Sequence, residues 1–451
     1  MRTACVYGVL LVAGSVAASS QSRAPSAAVI YEGGRLIVGD GRAPIENGAF
    51  VVEDGRITAL GPKGGVAVPA GARRVDLTGK TVMPAMVNVH VHIGYEGYTT
   101  WGAENYTPTN VLDHLQREAF YGVGATQSVG SSPTEQALQF QQDQQTGKFP
   151  SASRFFFMPG MAPPGGGPDA ILIKATTALH VVNEVSTAQD ARSAVQAMAA
   201  RNIRSVKIWV DDRRGTYPKM TAEVYNAVID EAHKHQMLVH AHATTLADQK
   251  AVVRAGVDVL VHIVGNAPVD DEFLALLRER KPYWTPVMGF GDRSEVCDND
   301  PFVDQTYPMK VLARIREESC GPRSAAAAAR EDILASNFPK MIAAGARLVL
   351  GTDAGIDARH TFGWADHHEI ARWVQLGLSP SQAIVAATET PAELLGIKDM
   401  GTLAVGKSAD FVVLNANPLD NIRDTRRIAG VYLRGVKLDR EALLASWKAR
   451  I

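Results

Sequence analysis

The sequence carries almost no net charge: 46 Lys and Arg stand against 47 Asp and Glu, a formal balance of -1 over 451 residues. A chain so balanced offers no basic field for nucleic acid and no polybasic run for anionic lipid. Beyond its first twenty residues it also lacks any uncharged apolar run long enough to span a bilayer. No Gly-x-Ser-x-Gly elbow is present, Ser128 being preceded by Thr126 and Gln127, which speaks against a serine hydrolase. No Gly-Lys-Ser/Thr and helix start follow the Pro- and Gly-rich stretch from Pro159 to Pro168, so it is not a phosphate loop and reads as a long active-face loop. Cysteine is scarce, with only Cys5, Cys297 and Cys320. The remaining composition, 46% hydrophobic and 21% charged, is that of a soluble globular protein rather than a disordered or fibrous one.

What is present begins with Met1-Arg2, an apolar stretch from Ala4 to about Ala18, and the polar Ser19-Ser20-Gln21-Ser22-Arg23. These are the three parts of a secretory signal peptide, expected over residues 1–20, and they predict export to a periplasmic or secreted location. Cys5 lies within the apolar stretch without a lipobox, so no lipid anchor is expected. Cleavage leaves Cys297 and Cys320, which an oxidising compartment would let pair if their Cβ atoms come within reach.

From Val29 to about Gly79 short β-rich pieces alternate with turns such as Glu53-Asp54-Gly55, and the pattern returns at Asp410-Leu414 and Ile428-Gly435. Residues 27–80 and 400–440 are therefore expected to build one small β-sandwich domain, with a C-terminal helix over 441–451. Between them, residues 81–399 alternate apolar strands with amphipathic helices. Eight strand segments are expected: Val82-His92, Ala125-Val129, Arg154-Met158, Ser205-Val210, Met237-His242, Val257-His262, Tyr283-Val287 and Arg347-Thr352. Eight βα repeats predict an α/β fold of the (β/α)₈ TIM type. An open doubly wound sheet would need a Gly-rich turn after its first strand, where His90 and His92 stand instead. The segment from Gly289 to Arg323, containing both remaining cysteines, reads as an insertion after strand seven.

His90 and His92 are two apart on a strand, so both imidazoles share one face. By itself such a pair is often only a polar edge. Lys207 lies inside the apolar strand Ser205-Val210, where an ammonium is costly without a partner. It can pair with an acid, or lose its proton and capture carbon dioxide as a carbamate that bridges two cations. Strand five ends in His240-Ala241-His242, strand six in His262 and strand eight in Asp353. Ligand-type residues at the ends of five strands are hard to explain as independent core histidines, and together they predict a metal centre with N and O ligands.

With these residues the chain resembles the amidohydrolase superfamily, in particular the group similar to imidazolonepropionases and Xaa-Pro and Xaa-Arg dipeptidases with a binuclear site. The resemblance rests on Pro84-Ala85-Met86-Val87-Asn88-Val89-His90-Val91-His92, Lys207, His242, His262 and Gly351-Thr352-Asp353-Ala354-Gly355. Pro391-Ala392-Glu393-Leu394-Leu395-Gly396 and Gly401 to Asp410 add to it. It implies that His90, His92 and Asp353 hold one divalent metal and His242 and His262 the other, with Lys207 as N6-carboxylysine between them. Zinc suits such histidine-rich sites, though Mn²⁺, Fe²⁺ or Co²⁺ fits the same donors. His242 is preferred to His240 on spacing, His240 being a partner of the ligands or barrel-filling. Two cations sharing a hydroxide make it a nucleophile at neutral pH. Asp353 would serve as general base and then general acid.

Family members that cleave dipeptides often use a His from the loop after strand three, where this chain has Gly165-Gly166-Gly167 and only His180 nearby. Tyr95, Trp101 and Trp284 are candidates for an aromatic pocket, Arg213 and Arg359 for meeting a substrate carboxylate. The expected activity is hydrolysis of an amide C–N bond in a small molecule, a dipeptide or N-acyl amino acid. The alternatives are a cyclic amide, lactone, carbamate or xenobiotic amide, and a metal-free binding protein on the same fold, which would be expected to lose ligands. Oligomeric state is left open, a homo-oligomer included.

Overall fold

The computed structural model describes residues 28–449 apart from Thr99, Asp169, Arg293, Pro308, Arg323 and residues 357–359. The expected signal segment, Arg359 and the last two residues of the expected C-terminal helix lie outside the described residues. That helix is Arg440–Lys448, with the Asp439 side chain accepting from the Ala442 N–H.

Five N-terminal strands (Val29–Leu36, Ile45–Glu53, Arg56–Pro62, Arg73–Asp76, Thr81–Pro84) and three C-terminal ones (Phe411–Leu414, Ile428–Leu433, Val436–Lys437) join in one eight-stranded sheet. The two ends meet where Phe411–Leu414 runs antiparallel to Thr81–Pro84. The turn between the second and third strands places Asp54 and Gly55 at φ 47° and 76°, the positive pair a tight hairpin requires. A side chain at Gly55 would meet the Arg434 carbonyl at 2.6 Å, so the two ends touch there too. Tyr31, Phe50, Phe411 and Tyr432 fill the core, Tyr31 stacking on Phe50 at 4.9 Å and Phe411 on Tyr432 at 4.4 Å.

The expected strand Val82-His92 is two strands in different sheets. Thr81–Pro84 belongs to the small sheet, and Met86–Val91 is the first barrel strand. Pro84 has no N–H to continue a ladder. Beyond it the chain changes partners: the Ala85 N–H donates to Asp410 O and the Met86 N–H to Gly122 O, both at 3.0 Å.

The other barrel strands are Val123–Val129, Arg154–Met158 with its continuation Gly160–Ala162, Ser205–Trp209, Leu238–His242, Val259–Val261, Tyr283–Thr285 and Arg347–Leu348. All pair in parallel with their neighbours. Val89 N–H to Leu350 O at 2.8 Å, with Thr352 and Asp353 N–H to His90 O at 3.0 Å, brings the eighth strand back to the first. The expected capping box is present: Ser379 and Gln382 cap each other around Pro380. Cys297 and Cys320 form a disulfide with Cα atoms 5.5 Å apart. The insertion they close is fastened to the barrel by Tyr307 Oη donating to Glu96 Oε1 at 2.8 Å and Tyr121 Oη donating to Phe302 O at 2.7 Å. No helix among the described residues is long and apolar enough to cross a membrane.

Candidate metal centre

Val87 and Val89 of the first strand belong to an apolar cluster with Ala125, Val259 and Val349 of other barrel strands. Strict alternation would then turn His90 away from that interior. It does not, because Asn88 pairs with Thr126 but Val91 with Ser128, three steps against two. That bulge re-aims His90 and His92 into the mouth. Asn88 braces it: its Oδ1 accepts the His90 N–H at 2.9 Å, and its Nδ2 donates to Thr352 Oγ1 at 3.0 Å and Asp366 Oδ1 at 2.9 Å. On the facing strand Gly351 is required by space, since a Cβ there would lie 2.2 Å from Thr285 Oγ1 and 2.7 Å from His90 Cβ.

His90 Nε2 lies 2.7 Å and His92 Nε2 3.2 Å from Asp353 Oδ1, and His262 Nδ1 lies 3.7 Å from Oδ2. Asp353 and His262 both hold positive φ, 60° and 73°, a conformation costing an ordinary residue about 1–3 kcal/mol and typical of functional sites. Burial, then the Lys207 cation, pulls the His90 imidazole down to about 3, so it is neutral. Burial alone would raise the Asp353 carboxyl, but His90, His262 and His92 hold it well below its usual value. One ligand atom each from His90, His92 and Asp353 lies within 4.8 Å of the others. Two imidazoles and one ionised carboxylate, all buried and converging, fit a divalent cation with positions left open.

Lys207 is 1% exposed, and its charge lowers His90, His240 and His262, so it stands near all three. His242 packs edge-on against His262 with ring centres 4.4 Å apart. Its Nε2 lies 3.0 Å from Asp211 Oδ2 and 3.1 Å from the Arg213 guanidinium. Burial works against ionising Asp211, yet His242 and Arg213 hold its carboxyl low. His240 is in register with Lys207, one layer deeper than His242, and its Nδ1 has no hydrogen-bond partner.

Asp211 escaped the sequence reading, although it stands just past the end of a barrel strand, as Asp353 does. Ser131 also escaped it; its Oγ lies 2.9 Å from His92 Nδ1 and no motif marked it. The expected substrate contacts divide. Arg213 reaches the site. Trp101 stacks on Tyr95 at 5.6 Å and donates from Nε1 to Gly355 O at 3.2 Å, while Tyr95 Oη donates to Ser131 O. Trp284 is fully buried, packs on Phe338 and donates from Nε1 to His262 O at 2.9 Å. His180 is exposed at positive φ just past the helix Ala170–Ala178, and no hydrogen bond or ion pair ties it to the histidine cluster.

These features define a parallel (β/α)₈ barrel carrying a candidate metal centre at the C-terminal ends of its strands, beside a β-rich domain drawn from both ends of the chain. The chain belongs to the amidohydrolase family, whose model matches residues 81–438. A 5-methylthioadenosine/S-adenosylhomocysteine deaminase of Symbiobacterium thermophilum is 46% identical over 65 residues, 14% of this chain and 15% of that protein. An imidazolonepropionase of Deinococcus radiodurans is 34% identical over 103 residues, 22% of this chain and 25% of that protein. The chain thus spans a quarter or less of these relatives. Among solved structures, a Xaa-Pro dipeptidase with bound methionine has a TM-score of 0.72 at 23% identity, covering 91% of this chain and 99% of its own. Phenylurea hydrolase B has a TM-score of 0.74 at 22% identity, covering 94% and 100%. Ochratoxinase of Aspergillus niger has a TM-score of 0.67 at 19% identity, covering 91% and 95%.

Proposed function

We propose that this chain is an exported, metal-dependent hydrolase that cleaves an amide C–N bond, with a dipeptide or N-acyl amino acid as substrate. The observation that carries the reading is the convergence of His90 and His92 Nε2 on one oxygen of Asp353. His90, His92 and Asp353 would hold one divalent cation, His242 and His262 a second, with Lys207 carboxylated between them. The two ions, zinc best suiting this donor set, would polarise the carbonyl and lower the pKa of a water molecule. Asp353, ionised and buried, can take a proton from the attacking water and return it to the departing nitrogen. Arg213 stands beside His242 as a cation for a substrate carboxylate.

A second reading, a hydrolase of a neutral urea, carbamate or xenobiotic amide, is favoured by one observation. The Arg213 guanidinium already lies 3.0 Å from the Asp211 carboxylate, which offsets its charge. The likeness to phenylurea hydrolase B agrees with it. A hydrolysis screen of dipeptides, N-acyl amino acids, lactones and aryl ureas with metal-loaded protein decides between them. Metal analysis in the same preparation tests the centre: less than one equivalent of transition metal per chain overturns both readings.

A further inference from the structure

Below the candidate metal centre the barrel interior is mostly apolar, and in that layer Gln127 and Ser205 stand out. Gln127 is 4% exposed; its Nε2 approaches Ser205 Oγ at 3.4 Å, and its Oε1 has no hydrogen-bond partner. The same is true of His240 Nδ1 on the fifth barrel strand and Thr285 Oγ1 on the seventh, both buried. Buried polar atoms without protein partners are normally satisfied by ordered water. Gln127 and Ser205 also line a cavity of about 720 Å³ with Asn202, Arg204 and Gln236, residues that precede the fourth and fifth barrel strands. The cavity therefore lies at the N-terminal face, opposite the mouth. Ser205 and Lys207 are two apart on one strand, so their side chains share a face about 7 Å apart. Lys207 is in turn the register partner of His240. Lys207 is 1% exposed, with the Trp209 ring 5.9 Å from its Nζ, and at the mouth stand His90 and Asp353, themselves 1% and 4% exposed.

We propose that this cavity is a rear entrance to Lys207, a hydrated passage through which carbon dioxide reaches the buried amine and protons leave. The proposal rests on the reading of Lys207 as a carboxylated lysine. The ammonium first gives up one proton. The neutral Nζ then attacks the carbon of carbon dioxide, the N–C bond forms as one C=O π pair moves onto oxygen, and a second proton departs. Gln127, with one donor group and one unpaired acceptor, and Ser205, donor and acceptor both, hold the water that carries these protons from Lys207 to the cavity.

The test follows carboxylation itself. The full-length chain is stripped of metal by a chelator at mildly acidic pH, returned to neutral pH with zinc and isotopically labelled bicarbonate, and watched by carbon NMR for the carbamate resonance. Gln127→Met keeps the side-chain length but removes donor and acceptor. Arg204→Trp, at an exposed rim position, narrows the same cavity from outside should the first variant fold poorly. Each variant is expected to slow appearance of the carbamate about fivefold or more, on the scale of one lost hydrogen bond, with its final intensity and the turnover of metal-loaded protein unchanged. Equal rates in wild type and both variants overturn the rear entrance and leave carboxylation standing. No carbamate resonance in the wild type overturns the carboxylated-lysine reading and the entrance with it.

Discussion

Asp353 meets His90 twice: its backbone N–H donates to His90 O at 3.0 Å, and its Oδ1 lies 2.7 Å from His90 Nε2. The first contact closes the barrel and the second sets up the candidate metal centre. Substitution at this pair should therefore separate fold from function. Asp353→Asn keeps the backbone closure and the side-chain shape but loses the negative charge and the base. We expect hydrolysis to fall about 10²–10⁴-fold and bound metal to drop, with the melting temperature little changed. A variant that keeps full metal and full turnover would remove Asp353 from the mechanism.

Lys207→Ala should abolish most activity and lower metal content if a carbamate joins the two sites. Adding a short carboxylic acid should restore part of both, since the acid can occupy the space left by the side chain and supply two oxygens. Activity that the substitution leaves untouched removes the bridge.

Arg213→Gln separates the two substrate readings. For a substrate carrying a carboxylate, KM should rise about tenfold or more, on the scale of a charge-assisted hydrogen bond, with kcat less affected. For a neutral urea or amide KM should hardly move. Equal changes for both would make Arg213 a residue that positions Asp211 and His242.

The buried carboxyls of Glu118 and Asp366 predict a pH dependence of stability. Burial raises Asp366 to about 7 and, with Asp366 beside it, pushes Glu118 well above its usual range. Below about pH 3 both are protonated in folded and unfolded chains alike. Between that pH and about 7 the folded state binds more protons than the unfolded one, so stability falls as pH rises. Asp366→Asn keeps an acceptor for Asn88 and has no charge to bury. It should raise the melting temperature more at pH 8 than at pH 5, the difference reflecting at most about 3 kcal/mol. An identical shift at both pH values would show that the carboxyl is not the source.

Gly351→Ala should cost about 1–3 kcal/mol, because the new methyl group would sit where Thr285 Oγ1 and His90 Cβ already are. Thermal unfolding reads the cost. Metal titration reads the displacement of His90 that should accompany it.

Much of this molecule is legible in its sequence. Apolar strands bounded by helical patterns give the barrel, and residues such as Ser379, Pro380 and Gln382 carry their helix cap in the order of their side chains. His90, His92, His242, His262 and Asp353 could be placed at strand ends because those ends follow from the apolar runs before them. Less legible was Thr81–Pro84, which continues the apolar run of the first barrel strand yet pairs in the other sheet. One of its two neighbours there is Phe411–Leu414, far along the chain. The role of Trp284 was equally hidden, since an aromatic residue near a strand end reads the same whether it lines a pocket or holds a histidine's backbone.

Residue order by itself therefore determined the barrel, the terminal origin of the small sheet and the set of ligand-type side chains at one rim, because periodicity and chemistry are local properties. The meeting of His90 Nε2 with Asp353 Oδ1, the bulge that aims both histidines inward and the capture of His242 by Asp211 and Arg213 were decided only by the tertiary structure. Each depends on the register in which distant strands pair, and a shift of one residue would turn those side chains to the other face.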